Sequence, residues 1–185
     1  MIQLMNGSIF GTKCDLLVVP ANNLGGVADS VYYELYGNEL PYLHEHITVG
    51  DVRFIQITNK FSNALTIGYA ASVDVYANSS NEGIIQSITS RIKNYCYEQS
   101  LQKVNIPLLG TGVGKLAAQV SYSILKKAFE KDTRIMLCIY VLDKDIYDEL
   151  VAIEPPVPRN EIRNPRYRQQ APDPLCQKKQ HIPHM

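Results

Sequence analysis

Three glycines at alternate positions follow a short apolar run in residues 106–116, which read IPLLGTGVGKL. The apolar run predicts the end of a strand, and the glycines predict a turn whose backbone can come close to a ligand. The amphipathic residues after the turn predict a helix, and the unpaired N–H groups of a helix start favour an anion, above all phosphate. The segment therefore predicts either a phosphate-binding turn or a tight strand-to-helix turn that binds nothing.

The segment differs from the two most common phosphate-binding motifs. A Walker A loop would place glycine at Leu109 and serine or threonine at Leu116. The dinucleotide-binding fingerprint would place glycine at Lys115. A nucleotide site in this segment would therefore be of another type.

A second loop with the composition of a ligand site follows the strand predicted over residues 15–19, which read DLLVV. This strand lacks polar alternation, as is typical of a strand buried on both faces. Pro20 ends it, and residues 21–26 (ANNLGG) form a loop by composition. Asn22 and Asn23 are candidates for ligand contact, although a pair of asparagines also suits a plain turn.

The remaining chemistry-bearing residues do not predict a metal site or a resident cofactor. His44 and His46 flank Glu45, but no further ligand stands at metal-binding spacing. The cysteines are also not at metal spacing, and they are too sparse for a disulfide framework: Cys14, Cys96, Cys138 and Cys176. A reducing, cytoplasmic setting is therefore expected.

Strands and helices alternate along the chain around the two loops. Strands are predicted near residues 2–4 and over 15–19, 51–57, 64–69, 104–109 and 135–142, and helices over 27–36, 84–96, 117–128 and a short segment capped by Asp143. This order predicts a three-layer α/β/α domain with a mixed, largely parallel sheet. Ligands of such sheets bind beyond the carboxyl ends of the strands, which is where both loops lie.

The composition limits the partners that the chain is expected to have. With 45% hydrophobic residues the chain can bury a core, and its 18 Lys and Arg equal its 18 Asp and Glu. This balance argues against a general nucleic-acid binder. No apolar run has the length of a membrane span, and the first residues lack the features of a signal peptide.

The composition changes sharply at Glu154. Seven of the ten prolines follow it, together with six Lys or Arg residues. We therefore predict a domain over residues 1–153 and an extended, basic, proline-rich tail over 154–185. The tail is interpreted as a solvated linker that could join the domain to an effector domain or a protein partner.

Taken together, the two loops resemble those of the macro domain, the ADP-ribose-binding fold, over roughly residues 1–153. Residues 7–9 (GSI) stand where macro domains carry a Gly-Asp-Ile turn, and residues 18–22 (VVPAN) stand where they carry Val-Asn-Ala-Ala-Asn. Residues 24–28 (LGGVA) match the glycine-rich step into a helix, and residues 107–114 match Pro-x-x-x-Thr/Cys-Gly-x-Gly. The second loop is also similar to loops in macro-like nucleotide-sensing modules of bacterial immune proteins.

The resemblance implies a cleft for ADP-ribose or a related NAD-derived nucleotide, read or sensed by the domain. It places the adenine near Ser8 and Ile9, with Tyr147 flanking the adenine or its ribose. It places the distal ribose at Asn22, with Asn23 beside it. It assigns the diphosphate to two sets of residues: Gly25, Gly26 and Val27 on one side, and Gly110, Thr111, Gly112, Val113 and Gly114 on the other.

The departures from the family pattern favour binding over catalysis. The acidic residue that usually holds the adenine amino group is Ser8 here. Hydrolytic members carry an aspartate at the position of Ala28, whereas Asp29 stands one residue later. Two alternatives remain: an ADP-ribosyl hydrolase acting through Asn22, Asp29 and an ordered water, and a degenerate macro fold used for protein contacts.

Overall fold

The computed structural model describes residues 1–59 and 62–154, which lie within a unit spanning Met1–Glu154. The predicted tail lies outside the described residues except for Glu154, so the domain boundary stays a prediction. Ten elements follow one another: β1 (Ile2–Asn6), β2 (Cys14–Asn22), α1 (Asp29–Gly37), β3 (Val52–Gln56), β4 (Ala64–Val73), α2 (Glu82–Glu98), β5 (Lys103–Pro107), α3 (Ala118–Phe129), β6 (Met136–Val141) and α4 (Lys144–Ile153).

The six strands form one sheet in the order β1-β6-β5-β2-β4-β3. Every neighbouring pair is parallel except β3 and β4, which are antiparallel. The predicted α/β fold with a mixed, largely parallel sheet is therefore confirmed.

The sheet separates two apolar cores, and β2 contributes to both. Leu16 and Val18 point into the core beneath α2, α3 and α4, whereas Leu17 and Val19 point into the core beneath α1. Successive side chains of a strand face opposite sides, so a strand covered on both faces must be apolar throughout. This requirement explains the uninterrupted apolar run of β2.

The two helix starts that lie next to the candidate loops differ from the predicted ones. Helix α1 begins at Asp29, so Val27 and Ala28 belong to the loop that precedes it. Helix α3 begins at Ala118 rather than directly after the glycines, because a left-handed turn at Lys115 (φ +57°) intervenes. Among the described residues, no helix has the length and apolar character needed to cross a membrane.

Candidate ligand-binding cleft

A cleft of about 540 Å³ opens at the carboxyl ends of the parallel strands β4, β2, β5 and β6. This is the edge of an α/β sheet where ligands generally bind. Its lining consists of Pro20, Ala21, Asn22, Gly26, Val27, Ala28, Ser72, Val73, Val75, Asn78, Pro107, Leu108, Gly110, Thr111, Gly112, Val113, Tyr140, Val141, Leu142, Asp143 and Ile146.

Asn22 shapes the first loop, which we define as residues 22–28. Its Oδ1 accepts hydrogen bonds from the backbone N–H groups of Leu24 and Gly26, both at 2.9 Å. Its backbone N–H donates to the carbonyl of Gly26 at 2.8 Å, and its own carbonyl accepts from Gly25 at 3.0 Å. Asn22 therefore folds the loop back on itself while also lining the cleft.

Asn23 and Gly25 support the first loop from outside the lining. The Oδ1 atom of Asn23 accepts from the N–H of Val75 at 2.9 Å, which ties the loop to the segment after β4. Gly25 has φ +82°, and a methyl group there would lie 2.3 Å from the carbonyl oxygen of Glu45. The backbone conformation and the close approach both require glycine at this position.

The second loop, residues 108–116, is closed by two backbone hydrogen bonds. The N–H of Lys115 donates to the carbonyl of Gly112, and that of Leu116 to the carbonyl of Gly110, both at 3.0 Å. A methyl group at Gly110 would lie 2.5 Å from Ser80 Oγ, and one at Gly114 would lie 2.5 Å from the Gly110 carbonyl oxygen. These two glycines are therefore required by packing within the loop and against Ser80.

Gly112 differs from its two neighbouring glycines because it lies at the open tip of the second loop. A methyl group there would meet nothing within 4 Å, and Gly112 lines the cleft. Its φ also lies outside the left-handed region. The fold can therefore accept a side chain at this position, although that side chain would enter the cleft.

Backbone N–H groups of the two loops lie at the cleft without protein partners. Among the described residues, none accepts a hydrogen bond from the N–H groups of Thr111, Gly112 or Val113, which line the cleft, or from that of Gly114, which follows them. The first turn of α1 is also uncapped, since Ala28 at its N-cap has no side-chain acceptor. Such groups form a suitable site for an anion.

The N–H groups at the second loop differ from those that the sequence predicted, which were the N–H groups of a helix start. No residue of α3 lines the cleft, so the second loop offers its own N–H groups and not those of a helix start. The first loop does lead directly into a helix start, because Val27 and Ala28 line the cleft just before α1.

The end of β6 forms the opposite part of the cleft. The Tyr140 hydroxyl hydrogen-bonds Thr12 Oγ1 at 2.6 Å, which fixes the ring in the cleft wall. Asp143 caps α4, as predicted, because its Oδ1 accepts from the N–H groups of Asp145 and Ile146 at 2.9 and 3.1 Å. Oδ2 has no partner among the described residues, and Asp143 is the one formally charged side chain among those that line the cleft.

Three of the residues assigned to the adenine lie outside the lining. Ser8 Oγ accepts from the N–H of Phe10 at 3.3 Å, and Ile9 is buried in the core beneath α1. Tyr147 packs against the core beneath α4, whereas its neighbour Ile146 lines the cleft. Consecutive helical residues point about 100° apart, so only one of the two can face the cleft.

The catalytic candidate Asp29 is exposed as the first residue of α1. The residue before it, Ala28, lines the cleft, whereas Asp29 does not.

The buried thiols are poor nucleophiles, because burial raises the pKa of Cys14 and of Cys96 to about 12. Within residues 1–59 and 62–154, no cluster of three or more His, Cys, Asp or Glu residues could hold a metal ion.

The sequence did not predict two parts of the lining. One is the end of β4 with the segment after it (Ser72, Val75 and Asn78), and the other is the end of β6 with the residues after it (Tyr140 and Asp143). Both follow parallel strands adjacent to β2 or β5. Applying the strand-end rule to every predicted buried strand would have included them.

Solved structures with the same fold are macrodomains, although the sequence itself matches no family model and no curated protein. The macrodomain of Mycobacterium tuberculosis DarG has a TM-score of 0.67 and 19% identity, over 77% of this chain and 99% of that one. The macrodomain of Thermus aquaticus DarG has a TM-score of 0.60 and 13% identity, over 76% and 98%.

A third similar structure is the Trypanosoma brucei macrodomain in complex with ADP-ribose. Its TM-score is 0.61 at 17% identity, over 81% of this chain and 68% of that one. At these identities the similarity concerns the fold. The chain has the macrodomain fold, as the two loops of the sequence predicted.

Proposed function

We propose that the cleft binds ADP-ribose or a related NAD-derived nucleotide, and that the domain acts as a reader or signal sensor. The observation that carries this proposal is the pair of loops with unpartnered N–H groups on one cleft of about 540 Å³. A diphosphate between the loops would receive hydrogen bonds from both sides. The T. brucei macrodomain, which has the same fold, is solved in complex with ADP-ribose.

The residues assigned from the sequence fall into two groups under this proposal. Direct contacts are proposed for those that line the cleft: Asn22, Gly26, Val27, Gly110, Thr111, Gly112 and Val113. Asn23, Gly25 and Gly114 hold the loops in shape and act through them. Ser8, Ile9 and Tyr147 lie behind the lining and have no direct contact with the nucleotide in the proposed arrangement.

We assign the base of the nucleotide to the end of the cleft formed by β6 and α4. Leu142 there is 76% exposed and offers an apolar surface to a planar ring. The free Oδ2 atom of Asp143 is an acceptor for an exocyclic amino group. Asp143 would thereby supply the carboxylate that Ser8 does not.

Thermal unfolding with ADP-ribose, NAD, cyclic ADP-ribose and AMP tests the proposal. A ligand at a hundred times its Kd should stabilise the fold by about 2.7 kcal/mol, or several degrees in Tm. We expect Gly112→Glu to remove this shift without loss of the fold, because the carboxylate would occupy the open tip of the second loop and repel phosphate.

Gly37→Glu is the matched control, since Gly37 also has nothing within 4 Å of an added methyl group but lies at the end of α1. It should keep the full ligand response. No response to any of the four nucleotides would contradict the proposal and favour a module for protein contacts. Release of free ADP-ribose from a modified protein, lost in Asn22→Ala and Asp29→Ala, would instead assign a hydrolase.

The tail over residues 154–185 enters the proposal as a link between the sensing domain and an effector domain or protein partner. Its composition, with seven prolines and six Lys or Arg residues, supports this assignment.

A further inference from the structure

Helix α1 exposes three tyrosines although it buries only Leu35. Tyr32, Tyr33 and Tyr36 are 43%, 70% and 77% exposed. They follow one another within five positions, so they lie on neighbouring parts of one helix surface. Three neighbouring exposed aromatic side chains on a nine-residue helix are characteristic of an interaction site.

The aromatic surface continues beyond α1 into the loop that follows it. The ring of Tyr32 meets that of Tyr33 at 5.9 Å and that of Tyr42 at 5.2 Å, in both cases edge to face. Tyr42 in turn meets His44 at 4.4 Å. These contacts hold the rings of Tyr33, Tyr32, Tyr42 and His44 as a row. Tyr33 of this row and Tyr36 of the same helix are largely open to solvent.

The charged side chains on α1 and in the turn directly after it are negative. Asp29, Glu34 and Glu39 are exposed on α1 or directly after it. Residues 14–52 contain no lysine or arginine, and Arg53 forms an ion pair with Glu45 at 3.3 Å. Open tyrosine faces among carboxylates are complementary to the cations of Arg and Lys side chains.

This surface begins where the cleft ends. Val27 and Ala28 line the cleft, and α1 starts at the next residue. The nine residues of α1 extend for roughly 13 Å at 1.5 Å per residue. The first turn of α1 is therefore within reach of a polypeptide attached to a nucleotide in the cleft.

We propose that the exposed surface of α1, with Asp29, Tyr33, Glu34 and Tyr36, together with Glu39 in the turn after it, docks an Arg- or Lys-rich polypeptide segment. This inference rests on the proposed function, because it makes the ligand of the domain a nucleotide carried by a basic protein. The cleft holds the nucleotide, and the α1 surface selects the carrier by its charge.

The test is fluorescence anisotropy of the full chain with a labelled twelve-residue peptide of alternating Arg and Ser. We expect the peptide to bind at low salt and a Gly–Ser peptide of equal length not to bind.

The double variant Tyr33→Ser with Tyr36→Ser should weaken binding of the Arg–Ser peptide at least tenfold. The double variant Glu34→Gln with Glu39→Gln should weaken it by at least the same factor. Tyr76→Ser, at an 80% exposed tyrosine of the segment after β4, and Glu130→Gln, at the end of α3, should leave binding unchanged.

The inference is overturned if the basic peptide does not bind, if the Gly–Ser peptide binds equally, or if the α1 variants bind as the unsubstituted chain does. Dimerisation of the chain that the tyrosine variant abolishes would assign the surface to a second copy and also overturn it. The variant Gly112→Glu separates the two proposals, because it should lose the nucleotide response and keep peptide binding. The α1 variants should keep the nucleotide response.

Discussion

The glycines of the two loops serve different purposes that the sequence motif does not distinguish. Gly25, Gly110 and Gly114 each lack room for a methyl group because other parts of the protein occupy that space. Gly112 has open space on every side. Packing thus accounts for glycine at Gly25, Gly26, Gly110 and Gly114, whereas the described residues give no packing reason for glycine at Gly112.

Gly25→Ala should destabilise the fold by at least ~2 kcal/mol, because it combines a left-handed backbone with a close approach to the Glu45 carbonyl. The free energy of unfolding from urea titration measures the effect. The control Gly37→Ala has free space and an ordinary φ, so it should stabilise the helix by about 0.4–1 kcal/mol. Equal effects of the two substitutions would contradict this explanation of Gly25.

Asp143→Asn should change the base preference of the cleft while keeping the helix cap, because Asn and Asp are equivalent N-caps. The carboxylate only accepts hydrogen bonds, whereas the amide can also donate one. We expect binding of ADP-ribose to weaken about tenfold, equivalent to ~1.4 kcal/mol. We expect the hypoxanthine analogue, with a carbonyl in place of the amino group, to bind better than before.

Calorimetric titration measures this change. ADP-ribose and its hypoxanthine analogue are each titrated into the unsubstituted chain and into Asp143→Asn, which gives four dissociation constants. Parallel losses for the two ligands would show that Asp143 does not contact the base. An unchanged Tm in the absence of ligand would confirm that the cap is intact.

Among the helices and strands, those defined by local patterns were predicted well. The apolar run of β2, the periodicity of α2 and the cap of α4 at Asp143 depend on residues close together in the chain. Features that depend on sheet order were not predicted. Tyr140 and Asp143 enter the cleft because β6 pairs with β5, and the segment after β4 enters because β4 pairs with β2. No local pattern encodes these pairings.

Side-chain direction at the ends of elements is the other feature that the sequence pattern leaves undetermined. Tyr147 was assigned to the ligand, but its neighbour Ile146 faces the cleft, because the start of α4 sets the phase of the helix. Ser8 and Ile9 were likewise predicted to lie near the adenine because they follow the end of β1. The turn after β1 instead directs the side chain of Ile9 into the core beneath α1. A periodic sequence pattern does not fix the first residue of a helix to within one position, so it cannot decide which of two consecutive residues faces the cleft.

The molecule as a whole contains a buried charge cluster that joins elements distant in sequence. Asp132, which is 7% exposed, accepts hydrogen bonds from the Tyr97 hydroxyl and from the N–H groups of Arg134 and Ile135. Lys93 of α2 lies 3.5 Å from its carboxylate. Burial alone would raise the pKa of Asp132, but these hydrogen bonds and the lysine outweigh it and lower the pKa below its usual 3.8.

The stability contributed by Asp132 should therefore be fully present above about pH 4 and decline as the pH falls toward the lowered pKa. Asp132→Asn should cost about 1–3 kcal/mol at pH 7 and make the fold less sensitive to acid. Urea unfolding between about pH 2.5 and 7 measures both effects.

Asp148→Asn is the control for this prediction, because Asp148 forms an exposed ion pair with Lys144. It should change stability by less than about 0.5 kcal/mol. If the unsubstituted chain and the Asp132→Asn variant lost stability equally in acid, the pKa of Asp132 would not be lowered in the folded protein.

The pairing of β1 with β6 has a consequence for the time course of synthesis. Ile2 pairs with Leu137, so the first strand made must wait for the last one. At ribosomal rates of about 5–20 residues per second, this wait lasts roughly 7–27 s. During that interval β1 is an unpaired strand on the nascent chain, open to the wrong neighbours. A chaperone that covers β1, or a step that slows translation between β1 and β6, should therefore change the yield of folded domain.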